Sequence, residues 1–259
     1  PTASFAGQQE SYLNVRGPAA LSLAVRDCMA SLFTDRAIVY RAERGFRHED
    51  VALSVGVQKM VRSDSGAAGV IFTLDTESGN RDVVVITGAW GLGETVVKGR
   101  VDPDEIWIHK PTLAKGFASI VRRDRGDKQV KLVYATGSNA AVAETRVPQE
   151  DRRRLVLSDE EALTLARWAV SIESHYAART KTAGLGMDIE WAKDGRTGQL
   201  FVVQARPETV HSQATSGALE VFRLKGKGRV LARGKSVGAR VGTGPARVIH
   251  SPAELATFR

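Results

Sequence analysis

Met187-Asp188-Ile189-Glu190-Trp191-Ala192 and Gln199-Leu200-Phe201-Val202-Val203-Gln204-Ala205-Arg206, joined through Asp194-Gly195, form the stretch that decides how this chain is read. Side chains of a strand alternate between two faces, so Met187, Ile189 and Trp191 share one face while Asp188 and Glu190 share the other. On the second run the same rule groups Gln204 with Arg206. Asp-Gly between two such runs signals a hairpin. If the strands pair so that these faces match, two carboxylates, an amide oxygen and a guanidinium converge. Mg²⁺ takes hard oxygen ligands, usually one or two carboxylates plus substrate phosphates, and Arg presents phosphate with a planar fork of donors. The competing reading is an ordinary ion pair on a solvated hairpin. Against it, Phe201-Val202-Val203 is apolar at consecutive positions, as in a strand covered on both faces, where acids need a partner or a metal.

Working outward, the periods alternate between helical and extended. Ser158-Asp159-Glu160-Glu161 is a capping box, and Ala162, Leu165, Ala166, Ala169 and Ile172 behind it make the apolar stripe of a helix to about Tyr176. Near the start, Pro18 suits a first helical turn, and apolar positions 21, 25, 28, 29, 32 and 33 recur at helical spacing. A second helix is expected over Asp35–Glu43, ending at Gly45. Strands are expected at Tyr12–Val15, at Val51–Val57 from strict alternation, and at Ala67–Leu74 and Asp82–Thr87. Shorter ones are expected at 106–109, 119–122 and 130–134. Helices and strands mix without a βαβ rhythm, so the class is α+β. The polar stretch 211–218 reads as a linker, dividing a domain over 1–210 from the beginning of a second over 219–259.

Composition excludes several classes. Apolar residues make up 42% and charged residues 25%, as in ordinary globular proteins, and no run approaches the roughly 20 apolar residues of a membrane helix. The single cysteine, Cys28, cannot form an internal disulfide, which fits a cytoplasmic setting, and its neighbours suggest a small buried hydrophobe. The net charge of +8 gathers near the end: from Arg206 onward there are ten Lys/Arg against three acids. Few aromatics interleave with them, so a nucleic-acid partner is not expected.

Three further motifs are candidates for nucleotide contact. Gly91-Leu92-Gly93-Glu94 is a glycine-rich turn after a strand, where backbone approaches phosphate closely. Gln58-Lys59-Met60-Val61, at a strand end, offers backbone polar groups to a base edge and Met60 to its face. Gly7-Gln8-Gln9 is a third, weaker glycine loop. The five histidines, His48, His109, His175, His211 and His250, lack metal-ligand spacing.

Taken together these blocks resemble the phosphoenolpyruvate synthase family. The resemblance rests on Ser4-Phe5-Ala6-Gly7-Gln8-Gln9-Glu10, Val57-Gln58-Lys59-Met60-Val61 and Ala89-Trp90-Gly91-Leu92-Gly93-Glu94. It also rests on Pro103-Asp104-Glu105, His109-Lys110-Pro111-Thr112-Leu113, Met187-Asp188-Ile189-Glu190-Trp191 and Val203-Gln204-Ala205-Arg206-Pro207-Glu208-Thr209, in order along the chain. It implies an ATP-grasp nucleotide-binding domain using ATP and Mg²⁺, followed by the start of a swivelling phosphohistidine domain. The family turns ATP, pyruvate and water into phosphoenolpyruvate, AMP and phosphate. By resemblance, Glu190 and Gln204 hold Mg²⁺ with Asp188 in support, and Arg206 contacts the phosphates. Gln58, Lys59, Met60 and Val61 hold adenine, and Gly91, Gly93 and Glu94 line the cleft with Gly7 and Gln8. Its partners would be ATP and the phosphohistidine and pyruvate-binding domains of the same polypeptide, with a homodimer as an allowed assembly.

This sequence departs from the family pattern in four ways. It begins after the Lys and the Arg-Ser-Ser-Ala segment, and it lacks the Thr-Cys-His segment and the pyruvate-binding barrel. The stretch Ala177–Gly186 is longer than the expected link before Met187. The chain alone is therefore not expected to complete the reaction. The alternatives are the ATP-grasp part of a rifampicin-type phosphotransferase, which Trp90 and His109–Leu113 disfavour, or a nucleotide-binding module with no phosphotransfer of its own.

Overall fold

The computed structural model describes residues 7–135, 141–208, 225–226, 228–232, 241–245 and 247–249. The chain divides into two units, Pro1–Thr215 and Ser216–Arg259. Most of the second, including the bulk of the expected phosphohistidine-domain start, lies outside the described residues. Those described there form no helix or strand. Among the described residues no helix is long and apolar enough to cross a membrane.

The first unit is α+β. Its centre is a six-stranded sheet of β1 (Ala67–Phe72), β2 (Val83–Trp90), β3 (Asp104–His109), β4 (Ile120–Asp124), β7 (Met187–Lys193) and β8 (Leu200–Pro207). The spatial order is β4-β3-β2-β1-β7-β8, with every neighbouring pair antiparallel. A separate hairpin pairs β5 (Val130–Tyr134) with β6 (Val142–Arg146). The helices are α1 (Pro18–Ala30), α2 (Asp35–Glu43), α3 (Glu94–Val97), α4 (Lys110–Ala114), α5 (Gln149–Arg152) and α6 (Asp159–Thr180).

The long helix α6 begins where its sequence dictates. Ser158 accepts from the Glu161 N–H while Glu161 accepts from the Ser158 N–H, so two otherwise orphaned donors are satisfied. Ala162, Leu165, Ala166 and Ala169 then pack, almost fully buried, on one sheet face. That face carries Ala67, Ile71, Val84, Ile86, Ile106, Ile108, Met187, Ile189 and Trp191, and it is the main core. Burying each large side chain there contributes about 1.5–3 kcal/mol.

Several expectations are corrected. Tyr12–Val15 and Val51–Val57 form no strand. In the second stretch Val51, Leu53 and Val55 are half-buried while Ala52, Ser54 and Gly56 are exposed, so the alternation is real but has no ladder partner. Alternation reports which way side chains face, not which backbone pairs. Helix α1 forms as expected, yet none of its residues is buried and Phe33 is 70% exposed. Cys28 is half-buried, its thiol directed at the Glu10 carbonyl 3.4 Å away. An apolar stripe tells which side wants cover, not what covers it. The long segment before Met187 is partly consumed by α6, which continues to Thr180 and stops at Lys181 in the left-handed region. Strand β6 was not anticipated.

Candidate nucleotide site

Register fixes which side chains meet on the other sheet face. Asp188 stands opposite Arg206 and Glu190 opposite Gln204, across the antiparallel β7–β8 pair. On β1 the neighbours are Phe72 beside Asp188 and Val70 beside Glu190. Further rows run through Thr87 to Glu105 and through Val85 to Trp107. Residues 187, 189 and 191 are in the core, so period 2 turns 188 and 190 away from it. The four hairpin residues thus sit on one face, opposite the one covered by α6.

The loop is longer than Asp194-Gly195 suggests. Asp194 accepts from the backbone N–H groups of Arg196 (2.8 Å) and Thr197 (3.0 Å), and its own N–H donates to Gln199 at 2.9 Å. A bulge then shifts the register after Glu190, leaving Val203 without a β7 partner while Gln204 keeps Glu190. Strand β8 is the sheet edge, and Phe201 and Val202 are 38% and 37% exposed. The expectation that both its faces are covered is therefore wrong. Consecutive apolar residues here reflect an edge and a bulge.

The electrostatics set these carboxyls apart from surface acids. Burial pushes the Asp188 carboxyl above its ordinary range, opposed by its ion pair with the Arg206 guanidinium and reinforced by Glu208. Burial likewise raises Glu190, and the charge of Asp188 raises it further while Arg206 opposes. A site that resists two negative charges favours a cation, and the donor set is all hard oxygen: Asp188, Glu190 and the Gln204 amide. Among the described residues no group of three or more His, Cys, Asp and Glu is gathered to hold a metal. These residues therefore fit Mg²⁺ only as a partial set, to be completed by ligand oxygens.

Of the remaining candidates, Gln58 and Gly93 have contacts with strands of this sheet. Gln58 Nε2 donates to the Val203 carbonyl at 3.4 Å, bringing the 58–61 segment against the β8 edge. Gln58 and Lys59 are exposed, while Met60 and Val61 are half-buried. In the glycine loop, a side chain on Gly93 would come within 3.3 Å of the Ala68 Cβ. Ala68 is two residues along β1 from Val70, the neighbour of Glu190. Gly91 has φ +87° and packs against the Leu132 carbonyl, so it needs to be glycine. Its N–H donates to Gly66 (3.1 Å), and that of Leu92 to Leu132 (2.9 Å). Those two donors hold the protein together; they do not form a phosphate cradle. Glu94 pairs with Lys98. Gly7 is exposed with φ +72°, and the Gln8 Oε1 is buried without a hydrogen-bond partner.

Sequence reading missed the far side of this face. Trp107 Nε1 donates to Glu105 at 2.8 Å, and the Arg122 guanidinium lies 5.5 Å from the Trp107 ring centroid while pairing with Asp124 at 2.5 Å. Alternation in Glu105-Ile106-Trp107 was the available signal, since Ile106 is core.

Residues 1–224 match the family described as pyruvate phosphate dikinase, AMP/ATP-binding domain. The chain is 54% identical over 257 residues to phosphoenolpyruvate synthase of Pseudomonas aeruginosa, covering 98% of this chain and 32% of that protein. It is 52% identical to phosphoenolpyruvate synthase of Escherichia coli, covering 98% and 31%. It is 38% identical to the probable phosphoenolpyruvate synthase of Methanocaldococcus jannaschii, covering 98% and 20%. The chain thus spans about a third or less of the length of these curated relatives. With the match covering most of its length, the chain belongs to the pyruvate phosphate dikinase AMP/ATP-binding domain family.

Proposed function

We propose that this chain is the MgATP-binding part of a phosphoenolpyruvate synthase, with an ATP-grasp type of nucleotide-binding domain over residues 1–210. In this reading 211–218 is a linker, and 219–259 begins a swivelling phosphohistidine domain. The whole enzyme converts ATP, pyruvate and water to phosphoenolpyruvate, AMP and phosphate in the cytoplasm, and a homodimer is compatible with this reading. The observation that carries it is the row Asp188, Glu190, Gln204 and Arg206 on one sheet face, with both carboxyls raised by burial.

Glu190 and Gln204 would hold Mg²⁺, with Asp188 beside them. Held there, such an ion would supply charge neutralisation for phosphoryl transfer. Arg206, oriented by Asp188, would contact the phosphate oxygens. Gln58, Lys59, Met60 and Val61 take the adenine edge and face, and Gly91, Gly93, Glu94, Gly7 and Gln8 border the cleft. Such a site works by positioning and electrostatics, which is where phosphoryl transfer needs help. Isothermal titration of the protein at its natural length with ATP, with and without Mg²⁺, is the test. Saturable, Mg²⁺-strengthened binding is expected, and no binding with Mg²⁺ present contradicts the reading.

A further inference from the structure

Residues 58–62 are tied to the β7–β8 hairpin at both ends. At one end Gln58 donates to Val203, the residue the bulge leaves without a strand partner. At the other, the Gly195 N–H donates to the Arg62 carbonyl at 3.0 Å, and the Arg62 N–H donates to Asp194 at 3.4 Å. The backbones touch there. A side chain on Gly66 would lie 2.3 Å from the Lys193 carbonyl, and one on Gly195 would lie 2.1 Å from that of Ser65. Only three residues, Lys59, Met60 and Val61, separate the two ties. Since a chain extends by at most about 3.6 Å per residue, they have little slack.

The Arg62 side chain locks the second tie. Its Nε and Nη2 each donate to one oxygen of Asp64 at 2.8 Å, and its guanidinium lies 5.0 Å from the Tyr134 ring centroid. The Asp64 side chain is only 12% exposed. One planar group meets a carboxylate along its edge and an aromatic ring with its face, which an ammonium does not reproduce. Strand β5, the turn at Ser63–Ser65 and the hairpin loop are thereby joined through one residue that directly follows Val61.

We propose that Arg62 is a positioning residue: with Asp64, Tyr134 and the Asp194 loop it sets where Met60 and Val61 lie relative to Glu190 and Gln204. It thereby tunes affinity for the purine base without touching it. This rests on the reading above that residues 58–61 hold the base and that Glu190 and Gln204 serve the metal and phosphates. A base contact displaced along a slackened segment is lost, while phosphate contacts on the hairpin stay.

The test compares MgATP with Mg²⁺-tripolyphosphate, which has the phosphates and no base, on the protein at its natural length. Arg62→Met is expected to weaken MgATP about tenfold, the scale of one lost charge-assisted positioning contact, and to leave tripolyphosphate within about twofold. Arg62→Lys recovers part of that loss. Asp64→Asn, which disturbs the pair from the other partner, gives the same selective pattern. Melting temperatures measured alongside report folding. Equal weakening for both ligands, or no weakening for MgATP, overturns the proposal. Wild-type protein that binds neither ligand overturns the nucleotide reading, and this proposal with it.

Discussion

The two faces of the central sheet are built from the same strands by alternate residues, yet they are energetically opposite. On one, Met187, Ile189 and Trp191 lie under α6 at no more than 1% exposure, dry and closely packed. On the other, the intervening Asp188 and Glu190 are half-buried and raised above the usual carboxyl range, a state that costs stability unless a cation arrives. A hairpin that needed only to fold would gain nothing from two half-buried acids there. The contrast sets a face that serves stability against one that, in the proposed reading, serves a ligand, so changes to each should be separable.

The sharpest way to break that separation is to cut into the covered face. Trp191→Ala removes a fully buried ring whose Nε1 donates to Thr87 at 3.0 Å, and should cost about 3–5 kcal/mol of unfolding free energy. Denaturant melts check this; a loss under about 1 kcal/mol would mean that the core is elsewhere. On the other face, Glu190→Gln keeps shape and removes charge. In the protein at its natural length, the proposed reading predicts that this change slows phosphorylation by ATP about a hundredfold or more in rapid-quench experiments, with nucleotide affinity falling less. Arg206→Lys should lower the same rate by about tenfold, because an ammonium loses the fork.

The smallest effect runs in the opposite direction to the rate. Glu190 binds its proton more tightly when folded, so between its ordinary value of 4.5 and its raised folded value the native state holds more protons than the unfolded one. Stability from this group therefore falls as pH rises through that window. Without ligand, Glu190→Gln should melt about 2 °C higher than wild type at neutral pH, with the gain vanishing below pH 4.5. A variant less stable at neutral pH would place Glu190 in an ordinary ion pair.

Much of this was legible in the residues. The capping box at Ser158 and the helix over 35–43 followed from local chemistry, as did the facing of Asp188 and Glu190, because each depends on spacing within a few positions. What was hidden depends on distant partners. Nothing local says that Val51–Val57 lacks a ladder, that α1 leaves its apolar stripe at most half-buried, or that the Gly91 and Leu92 donors are spent on Gly66 and Leu132. The bulge at Val203 was equally invisible, and it decides that Gln204, not Val203, meets Glu190.

The most direct measurement of the central claim uses Mn²⁺ as a spectroscopic stand-in for Mg²⁺. Electron paramagnetic resonance would follow free Mn²⁺ as wild-type and Glu190→Gln proteins are titrated in the presence and absence of ATP. The account predicts Mn²⁺ uptake by wild type that strengthens with ATP, since the protein supplies only part of the oxygen shell, and marked loss of that uptake in the variant. Equal ATP-dependent uptake by both proteins would contradict it.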